Sequence, residues 1–159
     1  MEAASEGTAT SKARIGHLVL NVKDVQASAR FYCDVLGMRK RRGGVFNGDT
    51  MVFLTFGEQD HDLALVQLTQ TALPADPRAA GLGHIAFCIG RQVDELRHFE
   101  AHLDRLGIVP EQMVEHLYAL SIYFRDPDGN ALEVYIKTQT QTPFIDGEMR
   151  LDNPSLTLE

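Results

Sequence analysis

The pentapeptides Gly16-His17-Leu18-Val19-Leu20 and Gly83-His84-Ile85-Ala86-Phe87 are near-copies set 67 positions apart (84 − 17). Each is a Gly-His pair opening an apolar, strand-like run. A repeat of that period implies a duplicated supersecondary unit, with the two histidines at equivalent places in its copies. Duplicated units commonly close around a shared cavity, and two histidines facing one cavity point to a metal. A third segment, Ile122 to Glu133, carries the tight turn Asp126-Pro127-Asp128-Gly129-Asn130 and feeds a strand bearing one glutamate. Two histidines and one carboxylate form the ligand set that leaves an iron open to oxygen and substrate.

The elements between these segments repeat in the same order. Residues 15–22 alternate as a strand, and Ala27, Ala29, Phe31, Tyr32, Val35 and Leu36 then supply a helical apolar stripe that Gly37 ends. Strand-like runs follow at about 38–46, 50–57 and 62–69, with Asn47-Gly48 a hairpin signal between the first two. The second copy has a strand at about 82–90 and a helix at about 92–106 carrying Val93, Leu96, Phe99, Leu103 and Leu106 before Gly107. Strands near 112–117, 120–125 and 131–137 complete it. The expected fold is α+β, made of two βαβββ modules at about 14–69 and 82–137 joined by a linker at 70–81. Residues 1–13 read as a disordered tail and 138–159 as a C-terminal extension.

With 159 residues and 44% apolar content, the chain has enough material for one real core. A net charge of −7 argues against a nucleic-acid partner, and no apolar run approaches membrane-spanning length. The tail has no hydrophobic segment of the secretory kind. Cys33 and Cys88 lie in apolar contexts where reduced, buried thiols are common, so the expected setting is the cytoplasm.

Strand parity places His17 with Val19 and His84 with Ala86 and Cys88. It groups Ser121 with Tyr123 and Arg125, sets Glu133 opposite Leu132 and Val134, and groups His61, Leu63, Leu65 and Gln67. All the polar residues of interest can then lie on one concave sheet face. Gln67 precedes Glu133 by 66 positions (133 − 67), so internal symmetry defines four ligand slots: His17, Gln67, His84 and Glu133. An amide is a poor donor for a divalent cation, and Gln67 is expected to line the pocket instead.

Four motifs carry a resemblance to the vicinal oxygen chelate superfamily, which includes glyoxalase, bleomycin-resistance proteins and extradiol dioxygenases. They are the two pentapeptides, Phe31-Tyr32-Cys33-Asp34-Val35-Leu36-Gly37-Met38, and Asp126-Pro127-Asp128-Gly129-Asn130 followed by Glu133. The resemblance covers about residues 14–137 and implies paired modules in a cupped, partly open mixed barrel, with helices outside and one divalent metal held by His17, His84 and Glu133. His61-Asp62-Leu63-Ala64-Leu65 is similar to the segment of type I extradiol dioxygenases that carries their acid–base histidine. Tyr123 matches their active-site tyrosine, and His116 resembles a further histidine upstream of it.

The expected activity is therefore Fe(II)-dependent extradiol cleavage of a small aromatic diol by O2, with Mn(II) as the other metal the same ligands accept. His61, Tyr123 and His116 would be the catalytic residues. The alternatives are a glyoxalase-like or epimerase-like lyase or isomerase acting through an enediolate, which needs Gln67 as a fourth ligand, and a metal-free drug-binding protein. A homodimer is left open. His98 and His102, four apart on a helix, could bind zinc but read as a solvated face. Arg39-Lys40-Arg41-Arg42 reads as the charged start of an edge strand, and the Asp126–Asn130 segment as turn chemistry.

Overall fold

The computed structural model describes residues 13–68, 78, 80–116, 118–138, 144–145, 148–149 and 158. The expected N-terminal tail, most of the linker and most of the C-terminal extension lie outside these residues. The first module runs β1 (Leu18–Val22), α1 (Val25–Leu36), β2 (Arg39–Phe46), β3 (Asp49–Thr55) and β4 (Leu63–Gln67). The second runs β5 (Ile85–Gly90), α2 (Val93–Arg105), β6 (Gln112–His116), β7 (Ala119–Arg125) and β8 (Ala131–Lys137). A two-residue antiparallel pair follows, β9 (Phe144–Ile145) with β10 (Glu148–Met149), for which the sequence shows no signal.

Each module is a four-stranded mixed sheet of the same order, β1-β4-β3-β2 and β5-β8-β7-β6. The β1–β4 and β5–β8 pairs are parallel, the others antiparallel. The sheets are cupped and do not close into a barrel. Among the described residues no strand of one module pairs with a strand of the other, so β1 and β5 each keep one free edge.

Local chemistry sets the element ends. Asp24 caps α1 by accepting from the amides of Gln26 and Ala27, and Gly37 closes it at φ 68°, a left-handed conformation that favours glycine. Asn47 and Gly48, both at positive φ, make the β2–β3 hairpin. In α2 the Glu95 carboxylate returns to the amides of Arg91 and Gln92, and this holds it below the usual carboxylate range.

One face of each sheet packs on its own helix. Leu20, Val22, Val52, Leu54, Leu63 and Leu65 are buried under α1, and Ile122, Phe124, Leu132, Val134 and Ile136 under α2. Each such side chain contributes about 1.5–3 kcal/mol. The modules meet through this helical layer. Phe31 of α1 lies 6.4 Å from Phe124, which lies 5.9 Å from Phe99 of α2, and His102 Nε2 is 2.7 Å from the Asp34 carbonyl oxygen. His102 thus ties the helices together rather than pairing with His98 on a solvated face.

The alternation in β4 reads differently from the expectation. Leu63 pairs with Leu18 and Leu65 with Leu20, so Leu63, Leu65 and Gln67 face the helix, not the concave side. His61 lies ahead of the strand, where Asp62 turns the chain, and its parity does not carry into β4. Gln67 neither lines the pocket nor fills a ligand slot. Its side-chain carbonyl accepts from the Val25 amide at 2.8 Å and its amide donates to the Lys23 carbonyl, fastening the start of α1. Because Val19 pairs with Ala64 as Ala86 pairs with Glu133, the residue equivalent to Glu133 is Ala64. The fourth slot holds a methyl group. Cys88 is exposed, against the expectation of a buried thiol, and Cys33 is half-buried with its thiol pushed up by burial.

Candidate active site

The second module gathers most of the expected residues. In register, Tyr123 of β7 stands opposite Glu133 of β8, which stands opposite Ala86 of β5. His84 lies two residues before Ala86 and so shares its face. Its Nε2 is 3.0 Å from Glu133 Oε2, and the carboxylate is one-tenth exposed. Ser121 Oγ, fully buried, donates to Glu133 Oε1 at 2.6 Å. The β6–β7 hairpin brings His116 Nε2 within 2.9 Å of the Tyr123 hydroxyl and 4.0 Å of Glu133 Oε1. The His84 ring meets Tyr123 edge-on at 5.8 Å.

This arrangement makes Tyr123 a reluctant acid. Burial first, and then the Glu133 charge, push its hydroxyl up to about 12. Tyr123 therefore keeps its proton at neutral pH and remains able to donate it in a hydrogen bond.

The first module holds the other two histidines. His17 lies against His61 with ring centroids 4.5 Å apart, and Phe53 of β3 meets the His61 ring edge-on at 5.0 Å. His61 Nδ1 is 2.9 Å from Asp60 Oδ2. The six expected residues thus fall into two groups, His17 with His61 and His84 with His116, Tyr123 and Glu133.

Two metal ligands at about 2.1 Å and near 90° lie about 3 Å apart, which is the separation of His84 Nε2 and Glu133 Oε2. That pair suits a divalent ion. Among the described residues of one copy, however, no three His, Cys, Asp or Glu side chains come together as a metal-holding group. One copy offers two of the three expected donors, and His17 stands with the other module.

Sequence reasoning missed two contributors. Ser121 shares the Tyr123 face by parity, but only the structure shows that its hydroxyl occupies one Glu133 oxygen and leaves the other toward His84. Without that hydroxyl the carboxylate can rotate, so Ser121→Ala is expected to weaken Mn(II) binding roughly 10- to 100-fold, read by titration with paramagnetic detection. Asp60, bonded to His61, gave no signal beyond its adjacency.

The Glyoxalase/Bleomycin resistance protein/Dioxygenase superfamily model matches residues 14–134. Biphenyl-2,3-diol 1,2-dioxygenase 2 of Rhodococcus globerulus is 33% identical over 127 residues, 80% of this chain and 64% of that enzyme, so the chain spans less than two thirds of this relative's length. Biphenyl-2,3-diol 1,2-dioxygenase 3 of the same organism is 34% identical over 140 residues, 85% of this chain and 71% of the enzyme. A glyoxylase/bleomycin resistance protein/dioxygenase domain from Frankia sp. EAN1pec superposes with a TM-score of 0.72 at 21% identity, covering 82% of this chain and 96% of that one. Two βαβββ modules of identical strand order, and a family model that runs from the first Gly-His strand into the glutamate strand, make this chain a member of that superfamily.

Proposed function

We propose that the protein cleaves the ring of a catechol-type diol beside its hydroxyl-bearing carbons, using O2 and Fe(II) or Mn(II). The observation that carries this reading is the half-exposed His84 ring at ligand spacing from the buried Glu133 carboxylate, flanked by a protonated tyrosine and a second histidine. The likeness to two biphenyl-2,3-diol dioxygenases at 33% and 34% identity supports the substrate class. The metal, held by His17, His84 and Glu133, would supply a chelation point that acidifies the diol and brings oxygen beside the ring.

The side chains divide the remaining work. His61 takes a proton from a substrate hydroxyl, for which imidazole is suited near neutral pH. Tyr123 donates a hydrogen bond to a substrate oxygen, and His116 fixes the Tyr123 hydroxyl. Val19 and Ala86, both exposed on the open faces, offer apolar surface to the ring.

The separation of His17 from His84 and Glu133 is reconciled by a second copy. Among the described residues the β1 edge is free and carries exposed Val19, with Ile15 exposed just ahead of it, and the β5 edge is likewise free, with Leu82 exposed ahead of it. A partner whose β1 runs beside β5 brings the partner's His17 and the partner's His61 to His84, Glu133 and Tyr123. The enediolate reading loses ground here, since the fourth ligand it requires is absent: Gln67 holds α1 and Ala64 occupies its slot.

Oxygen uptake by anaerobically Fe(II)-loaded protein, given a panel of catechols that includes biphenyl-2,3-diol, tests the reading. Stoichiometric uptake with a yellow product is expected, slowed on the order of 10²- to 10⁴-fold in His61→Ala. Metal-loaded protein that consumes no oxygen with any diol would overturn it.

A further inference from the structure

We propose that Asp60 and Arg42 are positioning residues that fix the tautomer and plane of His61, an inference that rests on the ring-cleavage reading for its catalytic consequence. A neutral imidazole carries one N–H, and a carboxylate only accepts. With Asp60 Oδ2 at 2.9 Å, Nδ1 holds the proton and Nε2 becomes the basic nitrogen. Asp60 is fixed in turn by Arg42, whose guanidinium reaches Oδ2 at 3.0 Å and Oδ1 at 3.3 Å. The same guanidinium lies 4.7 Å over the Phe53 ring, and Phe53 meets His61 edge-on. The contacts close a circuit: Arg42, Asp60, His61, Phe53 and back to Arg42.

The backbone is built to allow this. A register shift between Lys40 and Arg42 pairs Arg42, rather than Arg41, with Phe53. A β-bulge re-aims one side chain in this way. Phe53 itself pairs with Ala64 on the concave side. The basic run thus has a use beyond charging an edge strand, which its exposed Arg39, Lys40 and Arg41 serve as well as Arg42 does. The Asp60 side chain is half exposed, and pairs of that kind stabilise a fold little. The consequence of the circuit is orientation, and variants in it will fold.

Long-range proton–nitrogen NMR on the metal-free full chain reads the tautomer directly, at alkaline pH where free imidazole is neutral. Asp60→Ala should move the His61 nitrogens toward the Nε2–H form and leave His84 unchanged. Asp60→Asn, which keeps an acceptor, should restore the starting pattern. With the loaded enzyme, Asp60→Ala should lower kcat about tenfold, with KM within about twofold, and Arg42→Ala should act in the same direction more weakly. His61 nitrogens that stay put in Asp60→Ala would overturn the proposal, as would a tautomer change that leaves kcat intact. A tautomer change in a protein whose wild type cleaves no catechol would uphold the positioning and overturn the ring-cleavage reading alone.

Discussion

A mixture of His17→Ala and Glu133→Ala proteins, refolded or exchanged together, is expected to regain about a quarter of wild-type oxygen uptake, although each variant alone retains less than about a thousandth. The low individual values follow from losing one of three protein ligands in a site with no fourth donor to compensate, since Ala64 stands where a second carboxylate would be. The recovery follows from symmetry. When the partner's His17 completes a site, a mixed dimer carries one site with both lesions and one with neither. Random pairing makes half the dimers mixed, and half of their sites are intact. A site completed within one chain would yield no recovery, because every chain in the mixture then lacks a ligand. The same experiment with His84→Ala in place of Glu133→Ala should behave alike, since both belong to the second module's group. With His84→Ala and Glu133→Ala mixed together, no activity should return.

What the sequence made legible lies within elements. The 67-residue repeat (84 − 17) revealed both modules, and period-two alternation in β7 and β8 correctly set Tyr123 and Glu133 on a face opposite Phe124 and Leu132. The Asn47-Gly48 hairpin and the glycines after both helices stand where turn chemistry requires them. The Asp126–Asn130 segment is a turn, its first carboxylate saturated by protein donors.

The misreadings arose where one element is placed against another. Alternation in β4 keeps its phase, but His61 lies outside the strand, so parity counted from His61 puts Leu63, Leu65 and Gln67 on the wrong face. The 66-residue offset to Gln67 (133 − 67) came close to the repeat, yet strand pairing shows the true offset is 69 (133 − 64), because the segment between the Gly-His strand and the last strand is two residues longer in the second module. How the modules meet is not periodic at all. It depends on Tyr32, Ser28 and His102 reaching across, and no spacing rule announces such pairs.

Replacing Tyr32 by Phe is expected to lower stability by about 1.5–3 kcal/mol at neutral pH, the range for a hydrogen bond to a charged group. For a domain of this size the melting temperature should drop by roughly 3–12 °C. Tyr32 is fully buried, and its hydroxyl donates to Asp126 Oδ2 at 2.8 Å, while Ser28 and the Lys23 amide hold Asp128 two residues along the same turn. These bonds fasten α1 to the β7–β8 turn and so fasten one module to the other. Asp126→Ala should cost more, because it strands the Tyr32 hydroxyl and the amides of Asp128 and Asn130 together. The tyrosine also gives the effect a pH signature. Burial, and then the Asp126 charge, raise its pKa far above the ordinary value of 10.0. Below pH 10 both folded and unfolded chains hold this proton, and the stabilisation is complete. As pH rises past 10 the unfolded chain releases the proton while the folded protein retains it, so stability falls by about 1.4 kcal/mol per pH unit. Tyr32→Phe has no proton to release there. Denaturant unfolding should therefore show a wide gap between wild type and Tyr32→Phe at pH 8, narrowed by about 1.4 kcal/mol at pH 11. A gap constant across that range would mean that Tyr32 does not keep its proton in the fold.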